Sequence, residues 1–472
     1  MLRLSQISIE NFKNVLQGTI NLTTLPEGPS ILGLYGQNGS GKTSLIEAIE
    51  LLKYLLQGKS LPASFADYIH VDSPYARVIY EFEMSLPNES EQDKSYLLRY
   101  EVSIRAAGSS STQTDGPFQS PDHTPSTTAS ANQPGLAVEV FSEVLRYSEL
   151  QANGRHGRLT TLIDTVSSVK PFGPASKAAL LFGKDHPAGR SLRTDLEYHM
   201  RFARWTGRSA IFCDEFQRLL QEAPDHTAVP ASLIGAVHDY GRNGLFVISK
   251  SDIGEISLPD GTLIPMDRSV TISTVSETEL RYVVDGMNLV LGEIVPGLGI
   301  GHRILSRELM SDGREGVQIQ LVSEKNEKTI PLKYESQGIK KIISVLHLLI
   351  RVYNQTDITV AIDELDAGIF EYLLGELLRI LASKGKGQLI FTSHNLRPLE
   401  TIDKQFVAFT TTNPKERYLR MSGVGSSSNL RDFYYRDLQL GGQRESLYDT
   451  TNNFDIALAF RQAGGQFEGT ER

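Results

Sequence analysis

Residues 36–43 read Gly-Gln-Asn-Gly-Ser-Gly-Lys-Thr and fit the pattern G-x-x-x-x-G-K-[ST] without a mismatch. A short apolar run at 31–35 precedes them, and apolar residues recur at helical spacing over 45–56. In the order strand, glycine loop, helix, backbone N–H groups can turn inward around phosphates at a helix amino end. Lys42 is predicted to contact the β- and γ-phosphates and the Thr43 hydroxyl to bind Mg²⁺, the alternative being an ordinary glycine-rich turn. The residues predicted to bind the nucleotide here are Gly36, Gln37, Asn38, Gly39, Ser40, Gly41, Lys42 and Thr43.

Strands and helices alternate in the last part of the chain, over 331–472. Apolar residues predict a helix at 339–353, a strand at 358–362, a helix at 370–381 and a strand at 388–392. This alternation is typical of an α/β fold with a parallel sheet covered by helices. Ligands of such sheets bind at the carboxyl ends of the strands, where the next candidate residues fall.

Two acidic residues, Asp363 and Glu364, follow the apolar strand at 358–362. A carboxylate at the end of a buried strand costs desolvation unless a cation or donors compensate, so Asp363 is predicted to bind Mg²⁺. Glu364 is predicted to polarise the attacking water as a general base. The alternative is a strand that ends in a solvated cap. A similar run at 210–215 is interpreted as one turn of a helix, because apolar residues at helical spacing follow it.

Three further polar residues lie next to predicted elements. Ser336 precedes the helix at 339–353 and fits a helix N-cap. Asp366 lies two residues after Glu364 and also fits an N-cap. His394 follows the strand at 388–392, where a lone histidine is usually structural. The spacing of these residues alone does not decide between such structural roles and a role in catalysis.

Length, charge and cysteine content limit the class of protein. The chain has 472 residues, more than one ordinary domain, and 40% apolar with 22% charged residues is typical of soluble globular proteins. A net charge of −9 argues against a dedicated polyanion binder but leaves room for a local basic groove. Cys213 is the single cysteine, which favours a reducing, cytoplasmic location. The sequence has no signal-peptide pattern and no apolar run of membrane-spanning length.

Several short stretches carry motifs that occur together in one group of enzymes. Residues 7–13 read Ile-Ser-Ile-Glu-Asn-Phe-Lys, and residues 335–341 read Glu-Ser-Gln-Gly-Ile-Lys-Lys. Residues 362–366 read Ile-Asp-Glu-Leu-Asp, and residues 392–395 read Thr-Ser-His-Asn. With residues 36–43, they resemble the amino-terminal, signature, Walker B with D-loop, switch and Walker A motifs of ABC-class ATPases of the SMC/RecF/OLD group. More narrowly, the chain resembles compact AAA-type ATPases of bacterial abortive-infection and other anti-phage systems.

The resemblance implies an enzyme that binds ATP and Mg²⁺ and hydrolyses ATP between two copies of the chain. Ser336 and the amides near Gly338 would close over the γ-phosphate bound by the other subunit. His394 would respond to that phosphate, and Asp366 would lie in a D-loop at the subunit contact. The predicted catalytic residues are Glu364, His394, Lys42 and Ser336, the metal ligands are Thr43 and Asp363, and Ser336, Gly338 and Asp366 join residues 36–43 in binding the nucleotide.

The same resemblance gives an expected domain layout of the α/β, P-loop ABC-type ATPase head. Residues 1–60 would form its amino-terminal lobe and residues 331–472 its carboxyl-terminal lobe. Residues 61–150 contain three strand-like stretches, predicted to form an antiparallel β subdomain with a disordered loop at about 108–135, rich in Ser, Thr, Pro, Gln and Gly. Residues 151–330 are expected to be an inserted mixed, mostly helical domain. In that insert, helices are predicted at 195–205 and 211–221, and a strand followed by a helix at 270–284.

The function implied by the anti-phage relatives is that of a sensor and regulatory ATPase in a prokaryotic defence system. A separate effector protein, a nuclease or toxin, would carry the toxic activity, because the chain shows no nuclease motif of its own. We expect a homodimer or higher homo-oligomer, with nucleic acid as a further candidate partner and no membrane. The alternatives are a RecF-like ATP-dependent DNA clamp in repair and a scaffold that binds ATP without useful turnover.

Overall fold

Two six-stranded sheets organise the fold. The computed structural model describes residues 1–22, 30–86, 94–107, 138–151, 155–166, 172, 177, 187–222, 229–249, 254–258, 261–310, 313–325, 328–423 and 429–468, so the predicted loop at 108–135 lies outside the described residues. The strands are β1 (Leu2–Phe12), β2 (Val15–Asn21), β3 (Ser30–Tyr35), β4 (Ala76–Leu86), β5 (Lys94–Ala106), β6 (Val138–Glu149), β7 (Thr160–Asp164), β8 (Leu245–Ile248), β9 (Glu255–Ser257), β10 (Leu263–Pro265), β11 (Val270–Ser273), β12 (Leu298–Leu309), β13 (Glu315–Lys325), β14 (Lys328–Pro331), β15 (Thr359–Ile362), β16 (Gln388–Thr392), β17 (Val407–Thr410) and β18 (Tyr418–Leu419). The helices are α1 (Lys42–Leu56), α2 (Pro187–Trp205), α3 (Asp214–Gln221), α4 (Val229–Asn243), α5 (Thr274–Ile294), α6 (Gln337–Asn354), α7 (Glu371–Lys384), α8 (Pro398–Thr401), α9 (Leu430–Leu440) and α10 (Asn453–Glu468).

The central sheet has the strand order β18-β17-β3-β16-β15-β8. Neighbours from β17 to β8 pair in parallel, and β18 pairs with β17 antiparallel. Strands β3, β15 and β16 are buried along their whole length, which accounts for their nearly continuous apolar sequence. The predicted α/β fold with a parallel core sheet is confirmed, and the carboxyl ends of these three strands lie side by side.

The second sheet is antiparallel, with the order β2-β1-β4-β5-β6-β7. Buried and partly exposed residues alternate along β4, as expected for a strand with one face on the core. The three strand-like stretches predicted between residues 61 and 150 are β4, β5 and β6, which pair in that sequence. The first two strands of the chain join the same sheet, because β1 pairs with both β2 and β4.

Residues 151–330 differ from the expected mostly helical insert. The predicted helices are present as α2 and α3, and the strand followed by a helix is β11 and α5. The interpretation of residues 210–215 as a helical turn is wrong for 210–213, because α3 begins at Asp214 and Cys213 is its extended N-cap. However, β12, β13 and β14 form a sheet with β11, and β8 pairs in parallel with β15 at the edge of the central sheet. A four-residue apolar run is too short for sequence patterns to separate strand from helix. The segment therefore mixes helix and strand, and β8 belongs to the central sheet rather than to an insert.

Buried apolar residues cover both faces of the central sheet. On one face, α1 lies between the central and antiparallel sheets, and its leucine and isoleucine residues are buried in one core cluster. On the other face, α6 and α7 build a second cluster. The buried Gln388 side chain links the sheets, because it accepts from the Leu4 amide at 2.9 Å and donates to the Leu4 carbonyl at 2.8 Å. In the part of the chain that the structure describes, no helix is long and apolar enough to cross a membrane.

Candidate nucleotide-binding site

Residues 36–43 join β3 to α1, as the sequence predicts. Gly39 and Gly41 have φ angles of +75° and +88°, in the left-handed region that glycine adopts without strain. The helix begins at Lys42, and no side chain caps its amino end at Gly41. Its first backbone N–H groups are therefore available to an anion, and the helix dipole favours negative charge there. Within the loop, Asn38 is exposed and Ser40 is buried.

The Lys42 ammonium group lies over the loop that carries it. Its Nζ donates to the Gly36 carbonyl at 2.7 Å and to the Gln37 carbonyl at 2.9 Å. Burial lowers the pKa of Lys42, while the nearby carboxylates of Asp363, Asp366 and Glu364 oppose that effect. The site thus holds a buried lysine near three acidic residues, a charge arrangement suited to a ligand with phosphate groups and a metal ion.

The Thr43 hydroxyl and the Asp363 carboxylate meet, although 320 positions separate them. Thr43 Oγ1 lies 3.2 Å from Asp363 Oδ2 and 3.3 Å from Oδ1. The Thr392 hydroxyl, at the end of β16, donates to Asp363 Oδ1 at 2.6 Å. Among the described residues, no group of three or more His, Cys, Asp or Glu could hold a metal. A hydroxyl with a single carboxylate nevertheless fits Mg²⁺, which usually keeps waters and takes few protein ligands beside substrate phosphates.

Glu364, just after strand β15, has a backbone conformation that residues other than glycine rarely adopt. Its φ angle is +48°, and its backbone N–H donates to Thr392 Oγ1 at 2.8 Å. The next amide, that of Leu365, donates to the Thr392 carbonyl at 3.0 Å. A left-handed conformation costs a non-glycine residue about 1–2 kcal/mol. Strained backbone of this kind clusters at functional sites, which is consistent with the predicted role of Glu364 as a base.

Asp366 holds the turn that carries His394. Asp366 Oδ2 accepts from the backbone amides of His394 at 3.1 Å and Asn395 at 2.9 Å. Helix α7 begins later and has Phe370 as its N-cap, so the alternative interpretation of Asp366 as a helix cap is wrong. Because the turn is fixed by its backbone, the His394 side chain remains exposed and available to a ligand.

Ser336 is the N-cap of α6, as the local alternative predicted. Its Oγ accepts from the Ile339 amide at 3.3 Å, and the residue is exposed. Within the described chain, no hydrogen bond joins Ser336 to residues 36–43. Gly338 touches the backbone at Gly368, since a Cβ there would lie closer than 3.0 Å to the Gly368 carbonyl oxygen. The turn at residues 335–338, which we call the signature turn, is therefore exposed at Ser336 and packs against the backbone of Gly368.

Asn14 and Thr410 also hold the loop, and sequence analysis missed both. The Asn14 side chain donates to the Gly39 carbonyl and accepts from the Ser44 hydroxyl at 3.0 Å. Thr410 is hydrogen-bonded to the Ser40 hydroxyl and lies at the end of β17. Asn14 directly follows the predicted amino-terminal motif at residues 7–13, which was the available signal for it. A lone threonine at the end of a strand gives no such signal.

Two residues near the carboxyl end complete this support. The Tyr418 hydroxyl donates to the Gly41 carbonyl at 3.2 Å. Asp449 makes a paired contact with Gln37: its carboxylate accepts from Gln37 Nε2 at 3.0 Å, and its amide donates to Gln37 Oε1 at 3.0 Å. Neither residue belongs to a recognisable motif, so only the folded chain reveals them.

Lys341, in the first turns of α6, is a buried cation beside the acidic residues. It is 1% exposed, and its Nζ has no hydrogen-bond partner among the described residues. Burial lowers the pKa of Lys341, opposed by Asp363, Asp366 and Glu364. The signature stretch at residues 335–341 contains this lysine, but spacing did not indicate that it points into the protein.

Comparison with known proteins gives a match to a family model and a match to a curated protein. Residues 6–117 match the family described as AAA domain. A stretch of 49 residues is 49% identical to the DNA replication and repair protein RecF of Deinococcus radiodurans, covering 10% of this chain and 12% of that protein. The match thus spans about an eighth of the curated relative.

Among solved structures, the chain is similar to two Smc head domains and to the recombination mediator protein RecF. The Smc head domain of Pyrococcus furiosus bound to the C-terminal domain of ScpA is 13% identical, with 89% of this chain and 97% of that chain covered at a TM-score of 0.41. The SMC head domain from Thermotoga maritima is 12% identical, with 89% and 99% covered at 0.35. The recombination mediator RecF of the RecFOR pathway is 14% identical, with 88% and 97% covered at 0.37. The resemblance to ATPases of the SMC and RecF type is confirmed, and the narrower resemblance to anti-phage ATPases stays a prediction.

Proposed function

We propose that this chain is an ATPase switch that binds ATP with Mg²⁺ at residues 36–43 and dimerises around two nucleotides. One observation carries the proposal: Thr43 Oγ1 lies 3.2 Å from the Asp363 carboxylate, on the side chains expected to share one Mg²⁺. The alternative, an ordinary glycine-rich turn, does not predict contact with a buried aspartate that follows a strand 320 positions away.

Each residue of the site then has a defined task. Lys42 binds β- and γ-phosphate oxygens, and Thr43 with Asp363 would hold Mg²⁺, which neutralises phosphate charge when bound. Glu364 accepts a proton from the attacking water as the water oxygen forms a bond to the γ-phosphorus, while the bond from the γ-phosphorus to the β,γ-bridging oxygen breaks and ADP leaves with that oxygen. His394, exposed at the end of β16, hydrogen-bonds the γ-phosphate and responds to its loss.

The exposed signature turn supports the dimer. Ser336 and the first amides of α6 form an exposed helix amino end, and within the described chain Ser336 makes no hydrogen bond to residues 36–43. Such an end binds phosphate oxygens well, so Ser336 of a second copy closes over the γ-phosphate. Hydrolysis removes the shared phosphate and separates the two copies, which converts chemistry into a conformational signal.

For the biological role, we propose a sensor ATPase of a prokaryotic anti-phage system with a separate effector protein. This role rests on the resemblance of the motifs to abortive-infection ATPases. A second candidate is an ATP-dependent DNA clamp in repair, and the stretch that is 49% identical to RecF favours it. Both roles use the same ATP-driven dimer.

The enzymatic proposal is tested by ATPase rate and oligomeric state of wild type, Lys42→Ala and Glu364→Gln. We expect Lys42→Ala to bind ATP poorly, and Glu364→Gln to bind ATP, hydrolyse it at least 100-fold more slowly and accumulate dimer. Glu371→Gln, in the first turn of α7, is the matched control and should behave as wild type. Equal ATP turnover in the wild type and all variants would contradict the proposal. A wild-type rate of ATP hydrolysis no higher than the rate in buffer alone would favour the alternative of a scaffold that binds ATP without turnover.

DNA binding separates the two roles. The ATP-bound Glu364→Gln dimer is mixed with duplex DNA at 50 and 200 mM salt. A clamp gives ATP-dependent binding that weakens steeply with salt, because phosphate contacts release counterions. Absence of binding at both salt concentrations rejects the clamp and leaves the defence role.

A further inference from the structure

Two buried polar atoms beside the candidate site have no hydrogen-bond partner in the part of the chain that the structure describes: Lys341 Nζ and Asp366 Oδ1. Lys341 is 1% exposed, although lysine is almost never fully buried unless it is paired. Asp366 uses only its other oxygen, Oδ2, which accepts from the His394 and Asn395 amides. Buried polar groups are nearly always hydrogen-bonded, so two exceptions in one site need a physical explanation.

The fold places these two residues on segments that face each other. Gly338 and Lys341 are three positions apart on α6 and are therefore neighbours on one face of the helix. Gly338 packs on the turn at residues 366–369, because a Cβ at Gly368 would lie only 3.2 Å from Gly338 Cα. That turn is closed by the Ile369 amide, which donates to the Asp366 carbonyl at 3.1 Å. Helical side chains lean toward the amino end of their helix, so Lys341 reaches back toward this contact.

The buried charge of Lys341 is a cost to folding. Burial lowers its pKa, and the charges of Asp363, Asp366 and Glu364 oppose that effect. A buried cation without a close partner destabilises a fold, and an apolar side chain of similar volume is often neutral or more stable in its place. The stability of the fold therefore gives no reason for a lysine at this position, whereas a role in the reaction does.

Helix α6 connects Lys341 to the surface that the second copy covers in the proposed dimer. Ser336, the exposed N-cap of α6, is the residue proposed to bind the nucleotide of the other copy. On the other side, Asp366 holds the backbone of residues 393–395, which we call the switch turn. His394 of that turn is proposed to bind the nucleotide of its own copy. Lys341 and Asp366 thus stand between the residues that meet the two nucleotides.

We propose that Lys341 is a positioning residue for hydrolysis, which pairs with Asp366 in the ATP-bound dimer and thereby fixes the switch turn of the same copy. This inference rests on the proposed function. The nucleotide of the other copy binds the amino end of α6 and holds the helix on the turn at residues 366–369, where Lys341 meets Asp366. The ion pair satisfies both buried atoms at once. Each copy then hydrolyses its own ATP only after its signature turn has engaged the ATP of the other copy.

The first experiment measures kcat, KM and the denaturant midpoint of Lys341→Met, which removes the charge and keeps most of the volume. We expect kcat to fall about 30-fold and KM for ATP to stay within about threefold, because the change alters orientation rather than binding. The midpoint should be unchanged or higher, since an unpaired buried charge is removed. Lys384→Met, at an exposed lysine in the last turn of α7, is the matched control and should behave as wild type in all three measurements.

The second experiment follows hydrogen exchange of the switch turn in the Glu364→Gln background with saturating ATP. Exchange is measured at protein concentrations below and above the dimer dissociation constant, so that only the oligomeric state differs. We expect the peptide with the His394 and Asn395 amides to exchange about tenfold more slowly in the dimer, because Asp366 then holds them more firmly. With Lys341→Met added, the dimer should form with normal affinity in sedimentation, but the slower exchange should be lost.

Asp366→Asn tests the same pair from the other side, and serves as well should Lys341→Met fail to fold. It keeps an oxygen for the two amides and removes the charge that Lys341 meets, so the slower exchange in the dimer should again be lost. The double variant should lower kcat no further than Asp366→Asn alone, because residues that act as a pair give non-additive losses. Additive losses, or slower exchange retained in Asp366→Asn, would overturn the pairing.

The outcomes separate this inference from the proposed function. Failure of the unaltered Glu364→Gln chain to dimerise with ATP overturns both. A normal ATP dimer in which the switch turn of Lys341→Met slows as in the unaltered chain overturns the role of Lys341 alone, and so does a wild-type kcat in Lys341→Met. A parallel loss of kcat and of the denaturant midpoint in Lys341→Met overturns it too, because the lysine then acts through the stability of the fold.

Discussion

Thr392→Val removes the hydroxyl that connects the predicted metal ligand to the predicted base. Thr392 is 1% exposed, and its Oγ1 donates to Asp363 at 2.6 Å while accepting from the Glu364 amide at 2.8 Å. Valine has nearly the same shape, so the change deletes the two hydrogen bonds without opening a large cavity. The Glu364 turn, held at φ +48°, loses the acceptor that stabilises it.

The size of the effect follows from these contacts. A hydrogen bond to a charged group contributes about 1.5–3 kcal/mol, and a buried N–H left without a partner costs about 1–3 kcal/mol. Together these two losses should lower the free energy of unfolding by about 2.5–6 kcal/mol. A displacement of the Glu364 carboxylate by about 1 Å should lower kcat about 100-fold, because catalysis depends steeply on orientation.

The assay compares kcat and denaturant unfolding across three variants. Thr392→Ser keeps the hydroxyl and should retain activity within about threefold. Thr359→Val is the matched control: its buried hydroxyl donates to Gln388 at 2.8 Å at the opposite end of the central sheet. That change should cost about 1 kcal/mol of stability and leave kcat unchanged. If Thr392→Val matches Thr359→Val in kcat, the reasoning about Glu364 is refuted.

Three further predictions concern the signature turn, the loop and the core. Gly338→Ala places a Cβ against the Gly368 carbonyl and should slow hydrolysis at least tenfold and abolish the ATP-dependent dimer, whereas Gly235→Ala, in open space on α4, should do neither; a normal dimer in sedimentation would contradict this. Asn14→Ala removes a support of the loop and should raise the KM for ATP about fivefold at constant kcat, so an unchanged KM in steady-state kinetics argues against that support. Burial lowers the pKa of His347 from 6.5 to about 4, so the unfolded chain binds the proton more readily and stability is lost as pH falls below 6.5. The wild type should lose about 2 kcal/mol between pH 7.5 and 5 that His347→Phe does not lose, and parallel unfolding curves for the two would exclude this titration.

The parallel sheet could be predicted because its strands are fully buried and alternate with helices. The apolar runs at β3, β15 and β16 are short but stand next to clear helical stripes, which fixes their order. Strand β8 was not predicted, because its four apolar residues are too few to show the alternation of a strand or the spacing of a helix. Its role depends on pairing with β15, a contact across more than one hundred positions that local sequence cannot express.

Some residues of the candidate site were likewise predictable from the sequence, and others were not. Motifs indicated Lys42, Thr43 and Asp363, and the structure brings all three together. The supporting contacts of Thr392, Tyr418 and Asp449 could not be predicted, because each is a single common residue whose partner is distant in sequence. Local capping, seen at Ser336, was predictable from spacing, whereas the contact of Ser336 with a second copy is implied only by the resemblance of the motifs and stays a prediction.

The loop at residues 36–43 has a consequence for synthesis of the protein on the ribosome. It emerges early, yet Asp363, Thr410, Tyr418 and Asp449, which line or brace it, are translated far later. A polypeptide that has been translated only as far as residue 362 therefore lacks all four of these contacts to the loop. We expect such a polypeptide to leave the loop unsupported and unable to bind the proposed nucleotide, and the support to be complete only once residue 449 has been added.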